Sequence, residues 1–517
     1  MQPVSYIVLC KSPAGQVLTP VIEYDGETLV AVLETTQDLE LKSITITLKH
    51  AFTGDARVQV NGYQSWTDTV EHTLTEHIRG LRHVPQSITE RFALDTMGDF
   101  RFIDYDMHPG CFHGFTYASI RDHAESEEIT LVSSLDESKG FTLIRVDAAS
   151  GTLTLQTECP RGIIPAKAHV VLGRYAILRG EENAVYSRMF ELSGVIPRTQ
   201  KPLCGYASWY RHYDAIDERK LIDDLASVSV VLDSIDTSGL TRVFQIDDGW
   251  CKVGDWMNID AVKFPHGVAP IASAARACGL EPGLWMAPFV CERRSQLAKE
   301  HPDWIMRNEN GRLVTTGSRW SGCLALDTRN EEVRDYVQRC IRNVVEKWGF
   351  ELLKLDFLYA ACIVPHNGLN RGELMADAIA LLREAAGEAC SIIACGVPLG
   401  SAFGEVEYCR IGCDVGPNWD NRLIMRPLHR ERMSTKRGIA NTVGRSALNG
   451  RAFLNDPDAC FINASAKLSS AKRNLLLDTA SKHAGMLLTS DDMGKWTPEG
   501  RAAYERAIQH IAQRCQS

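Results

Sequence analysis

The sequence lacks most of the marks that place a chain in a special class. Cysteine occurs 16 times in 517 residues, yet no Cys-x-x-Cys pair is formed, and the 15 histidines include no His-Glu-x-x-His or similar ligand spacing. The cysteines are scattered, and Cys204, Cys340, Cys395 and Cys409 lie inside apolar runs or helical patterns. They read as free buried thiols of a reducing compartment, not as a disulfide frame or a metal site. No run of five or six like charges occurs, and the net charge is only -9, so neither nucleic acid nor a membrane surface is expected as a partner. Nothing approaches the roughly 20 apolar residues of a membrane span. The stretch Met1–Cys10 has no basic segment and too short an apolar one for a signal peptide, so a cytoplasmic location is expected. Phosphate-binding loops of the G-x-x-x-x-G-K-S/T type, a G-x-G-x-x-G between strand and helix, and a G-x-S-x-G elbow are all missing, and no cofactor is expected.

What remains is an ordinary globular composition, 44% hydrophobic and 23% charged with a mean hydropathy of -0.16. The length exceeds that of a single core, so two domains are expected. Residues 1–180 show short runs of alternating β-branched residues (SYIVLC, LVAVLETT, ITITLKHAF, ITLVSSL, LTLQTEC) between turn-forming residues, the pattern of an antiparallel β-sandwich. Residues 181–202 form a linker with a helix over Glu181–Ser193. From residue 203 to 517, apolar runs alternate with helical segments, an α/β pattern. Eight strand candidates are found: Leu203–Trp209, Val243–Asp247, Glu281–Phe289, Glu351–Phe357, Cys390–Cys395, Tyr408–Asp414, Arg451–Asn455 and Gly485–Thr489. Eight is the number that closes a (β/α)8 TIM barrel. Helices are expected over Ala269–Cys278, Glu331–Trp348, Arg371–Ala386, Ala466–His483 and Pro498–Arg514, and Cys291–Arg329 as a long active-site loop.

In such barrels chemistry sits where strands end. Here those ends carry Trp209 and Tyr210, Asp247 and Asp248, Trp285, Lys354 and Asp356, Arg410 and Asp414, Asp456 and Asp458, and Asp491 and Asp492. Asp456, Asp458, Asp491 and Asp492 are expected to cap helices, and Trp304 and Trp348 to be core. Lys354 differs, because it precedes Asp356 by two positions, shares its strand face, and would be buried without a partner otherwise. Asp356 and Asp414, each ending an apolar run, form a carboxylate pair flanked by cations and aromatics. That combination suits glycoside hydrolysis, in which one carboxylate attacks or activates water and the other protonates the leaving oxygen.

The sequence resembles the α-galactosidases of glycoside hydrolase family 36, especially compact bacterial members, over nearly its whole length. The resemblance rests on NGYQSW at Asn61–Trp66, SWY at Ser208, QIDDGW at Gln245, GLWMAPF at Gly283, LKLDFL at Leu353, CGVPLG at Cys395, RIGCDVGPNW at Arg410 and FLNDPD at Phe453. It implies a retaining double displacement with Asp356 as nucleophile and Asp414 as acid/base. It further implies substrate contacts from Asp247 and Asp248 at the 4- and 6-hydroxyls, Lys354 at O3 and O4, Arg410 near O2, and Trp285, Trp209, Tyr210, Cys395 and Gly396 around the pocket. Trp66, otherwise readable as plain core, would reach over the barrel mouth from the sandwich. Two departures stand out: no counterpart of the family's carboxyl-terminal β-domain is seen, and Leu355 replaces the Trp common in larger members, with an altered pocket floor as the expectation. The implied substrate is a small α-galactoside of melibiose or raffinose type. Alternatives are α-N-acetylgalactosaminidase, β-L-arabinopyranosidase or transglycosylase action, or a sugar-binding protein without turnover. A homo-oligomer is a possible assembly.

Overall fold

A computed structural model describes residues 3–10, 17–81, 84–420, 430–463 and 467–516. The amino-terminal part packs two antiparallel sheets face to face. In one, Leu39–Lys49 lies between Pro3–Cys10 and Thr152–Glu158, followed by Thr142–Asp147 and Cys111–Phe115. In the other, the long strand His169–Glu181 pairs with Thr28–Glu34 on one side and Glu128–Ser134 on the other. The period-two pattern explains the packing: Ile44, Ile46 and Leu48 are buried while Thr45 and Thr47 are not, and they meet Leu29, Ala31, Ile120 and Val132 of the opposite sheet. The expected sandwich is therefore present. His169–Glu181 runs directly into the helix Glu182–Ser193, whose first free amides, on Asn183 and Ala184, bond the Glu181 carboxylate.

The second part is a parallel sheet of Leu203–Ala207, Thr241–Ile246, Glu281–Met286, Leu352–Leu355, Ser391–Ala394, Tyr408–Arg410, Leu454–Asp456 with Ala459–Cys460, and Met486–Thr489. Its two ends belong to one stretch of chain: Leu454–Asp456 pairs with the sixth strand and Ala459–Cys460 with the eighth. The seventh stave is thus one strand broken at Pro457 and Asp458, and the break closes the ring. The eight-stave barrel is as expected. Side chains alternate strictly between its inside and its helix layer. Leu203, Val243, Leu352, Ile393, Tyr408, Leu454 and Met486 form an apolar plug inside, and the next inward positions, such as Lys354, Cys395, Arg410 and Asp456, form a polar layer above it.

Several expectations are corrected. Leu355 does not lie on the pocket floor, because it alternates along the strand with Lys354, whose side chain points inward to Asp247, and so faces the helix layer. The first strand ends at Ala207, and Trp209–His212 is a short helix. The stretch Cys291–Arg329 is not a bare loop. Its backbone amides and carbonyls are paired in a three-stranded antiparallel sheet of Val290–Glu292, Cys323–Ala325 and Thr315–Gly317 with the helix Gln296–Glu300, as a long segment over a barrel mouth requires. Helix Glu331–Arg342 widens into a π turn at Asn343–Lys347. The helix expected from Ala466, a residue outside the described ones, runs over Ser470–His483. The fifth crossover holds only a 3-10 turn, Leu399–Ala402.

The sandwich is bonded to the barrel through the turn at Asn61–Thr67. Ser65 donates its amide to the Val397 carbonyl at 2.9 Å, and its hydroxyl accepts the Gly396 amide at 2.8 Å. Arg445, fully buried, locks this turn by donating to the carbonyls of Ser65, Gln64 and Ile411 and to the Asn61 side chain. Desolvation pulls its pKa down to about 10, yet it stays charged at neutral pH. Arg445→Met should destabilise the fold by at least ~3 kcal/mol, since buried carbonyls that lose their donor cost about 1–3 kcal/mol each. Urea denaturation checks this, and a loss under 1 kcal/mol would contradict the locking role.

Candidate active site

The polar layer is built around two cations. Lys354, on the fourth strand, sends its ammonium to Asp247 Oδ2 at 2.8 Å. Burial is the largest influence and opposes the charged ammonium, but the Asp247 carboxylate, with Cys395 and Asp356 adding to it, holds the lysine pKa above its usual value. Asp247 is fixed from three other sides: Gln245 donates to Oδ2 at 3.0 Å, the Asp248 amide to Oδ1 at 3.0 Å, and the Asp247 amide bonds the Ser208 hydroxyl at 2.9 Å. Asp248 accepts the Trp320 indole N–H at 2.9 Å. Its carboxyl is pushed up to about 6, first by burial and then by Asp247, with the Trp320 bond opposing.

Asp356 follows directly on the fourth strand and is buried, 8% exposed. Trp285 Nε1 donates to its Oδ2 at 3.1 Å and the Phe357 amide to its Oδ1 at 2.9 Å. Both oxygens are thus oriented by donors. Phe357 adopts a left-handed conformation, φ 55°, a strained choice for a bulky residue and one often found at functional sites. Trp66 arrives from the sandwich, donates its indole N–H to Cys395 Sγ at 3.2 Å, and stands edge-on to Phe357 with 5.0 Å between ring centres. Gly396 is required beside it, because its φ is 59° and a Cβ there would meet the Trp66 ring at 3.0 Å. Burial, then Asp356, raise the Cys395 thiol well above its usual value, so it is a neutral wall of the site.

Arg410, on the sixth strand, is the second cation. Its Nη1 reaches Asp414 Oδ1 at 3.3 Å, Nε reaches Asp456 Oδ2 at 3.0 Å and Nη2 reaches Asp458 Oδ1 at 3.0 Å. Asp414 is the more open carboxylate, its side chain 30% exposed against 5% and 7% for Asp456 and Asp458. Tyr210 donates its hydroxyl to Asp458. Lys354 and Cys395 both feel the charges of Asp356 and Arg410, so the two clusters face one space.

Every site residue inferred from sequence therefore lies at this mouth, with Trp209 at its margin beneath the Arg319 guanidinium, 5.2 Å from the ring. The capping role expected of Asp456 and Asp458 is wrong, because the following helix starts at Ser470 while both carboxylates bind Arg410. Asp491 instead accepts the amides of Ile462 and Asn463, and Asp492 pairs with Arg211. Trp320 was missed, and Ser208, quoted only as part of the SWY motif, was given no role. Trp320 sits in a stretch without periodicity, and a serine after a strand carries no signal of its own.

Residues 214–371 match the family model described as Melibiase. That stretch is similar to the melibiase family. It and what flanks it are similar to TtGalA, an α-galactosidase from Thermus thermophilus, at 27% identity with a TM-score of 0.73 over 93% of this chain and 92% of that one, in a complex with p-nitrophenyl α-D-galactopyranoside. A stachyose complex of the same protein gives 26% identity and a TM-score of 0.74. The family 36 α-galactosidase AgaA of Geobacillus stearothermophilus shares the fold at 13% identity, TM-score 0.64. Alpha-galactosidase 2 of Pediococcus pentosaceus is 32% identical over 123 residues, which span 22% of this chain and 16% of that protein. The chain thus covers about a sixth of that curated relative's length. The resemblance to family 36 read from the motifs is borne out.

The candidate site has its own pH signature. A carboxyl whose folded pKa lies above its unfolded value binds its proton more tightly when folded. Its contribution is full below about 4 and is lost as pH rises through about 6. Asp248→Asn should therefore flatten the fall of unfolding free energy between pH 4 and 6, measured by urea titration at several pH values. An unchanged slope would show that Asp248 titrates normally.

Proposed function

We propose that the chain is a retaining α-galactosidase that releases terminal α-galactose from small α-galactosides. One observation carries this reading: Asp356, with both oxygens oriented by N–H donors, faces the more exposed Asp414 across a layer of buried cations. A carboxylate aimed by two N–H donors is suited to attack C1. A second carboxyl at the solvent edge is suited to protonate the departing oxygen and then to deprotonate water. The Lys354–Asp247–Asp248 set offers a charged donor and acceptors at fixed positions, as the axial O4 and the O6 of galactose need. Trp66 and Trp285 supply apolar walls. The likeness to TtGalA across nearly the whole chain, with its aryl α-galactoside and stachyose complexes, supports this sugar. The free thiols of 15 cysteines, most of them buried, favour a reducing cytoplasm. Among the described residues no helix is long and apolar enough to cross a membrane.

Hydrolysis of an aryl-glycoside panel (α-galactoside, α-N-acetylgalactosaminide, β-L-arabinopyranoside, α-glucoside) should favour the α-galactoside, and NMR of the first product should show the α anomer. Preference for another glycoside would reassign the sugar, and a β product would overturn retention. Asp356→Gly should abolish turnover of natural substrates and form the β-galactosyl azide when azide is supplied. An α-azide would move the nucleophile elsewhere. Asp414→Ala should lose ~100-fold or more on poor leaving groups, the usual worth of general acid catalysis, while glycosylation by substrates with very good leaving groups is largely spared. Equal losses on both would count against the acid role.

A further inference from the structure

Asp458 is a buried carboxylate at the barrel mouth that neither caps a helix nor pairs with a cation of its own. It stands at φ 76° in the break of the seventh strand, a conformation unfavourable for a non-glycine residue. The break turns its carboxylate toward the barrel axis. There Oδ1 takes Arg410 Nη2, and Oδ2 accepts the Val415 amide at 2.9 Å together with the Tyr210 hydroxyl. One guanidinium consequently serves three carboxylates, Asp414 receiving only Nη1 at 3.3 Å. Were Asp458 uncharged, Arg410 could turn both terminal nitrogens to Asp414 in the bidentate form, the stronger arrangement, which would stabilise ionised Asp414.

We propose that Asp458 is a positioning residue for Asp414: by occupying one terminal nitrogen of Arg410, and by its own negative charge, it keeps Arg410 from pairing bidentately with Asp414 and so leaves the Asp414 carboxyl free to carry and pass the proton. This rests on the reading of Asp414 as acid/base. Three carboxylates around one arginine leave a surplus of negative charge, and removing protons from such a set becomes harder with each step. The groups facing Asp458 are Arg410, Asp414, Asp456, Lys354 and Tyr210, and those facing Asp414 further include Tyr213 and Cys413. Burial lifts the Asp458 carboxyl to about 6, Arg410 opposes this, and Asp414 and Asp456 add to it.

The test is the pH profile of kcat/KM for Asp458→Asn on an alkyl galactoside and on a dinitrophenyl galactoside. The basic limb should move to lower pH by roughly one unit, giving a loss of about tenfold on the alkyl substrate above neutrality, with less than a twofold loss on the activated one. Tyr210→Phe, which removes a donor from ionised Asp458 and so leaves it more protonated, should shift the limb the same way by less. It serves as the deciding variant if Asp458→Asn does not fold. An unshifted limb with equal losses on both substrates would overturn the inference and leave the glycosidase reading standing. A parent enzyme inactive on every glycoside would overturn both.

Discussion

The divided guanidinium of Arg410 is the interaction on which the rest of the site depends. A buried arginine must be neutralised, and a single carboxylate would have sufficed for that. Three carboxylates instead hold it from three directions, so its plane is fixed and none of them claims it entirely. One is left facing solvent with a weakened hold. Lys354 solves the same problem in the opposite way, because its ammonium is given to one carboxylate that Gln245 and the Asp248 amide also hold. The two cations thus divide the mouth into a closed, rigid half and an open half where a proton can be exchanged.

Both halves rest on the apolar plug below. Leu352 and Lys354 are consecutive inward positions of one strand, as are Tyr408 and Arg410, and Leu454 and Asp456. The floor that excludes water and the charges that would use its exclusion come from the same staves, one pleat apart. A low local dielectric strengthens each ion pair above it. It also makes register decisive, since a one-residue slip would put Leu355 inside and Lys354 among the helices.

Much of this was legible in the chain. Lys354 two positions before Asp356 could be read as a same-face pair because strand periodicity is strict, and the eight apolar runs counted out the barrel. The failures have physical causes. Asp456 and Asp458 looked like caps because Asp is common before helices, and nothing local reveals that Pro457 and Asp458 break a strand to close a ring. Trp320 was invisible because its partner Asp248 lies 72 positions away. The internal sheet of the stretch after the third strand was missed because its strands are three residues each, too short to show alternation.

The bond of Arg445 to the Asn61–Thr67 turn bears on how such a protein can be rearranged. The turn delivers Trp66 to the site but is held by carbonyl contacts to a residue of the barrel, so neither unit carries the complete pocket. Shuffling a foreign sandwich onto this barrel would succeed only if the newcomer brought a turn of the same shape, with its backbone oxygens in the same places. Inheritance of the two units as one block, rather than as exchangeable modules, is the price of sharing a wall.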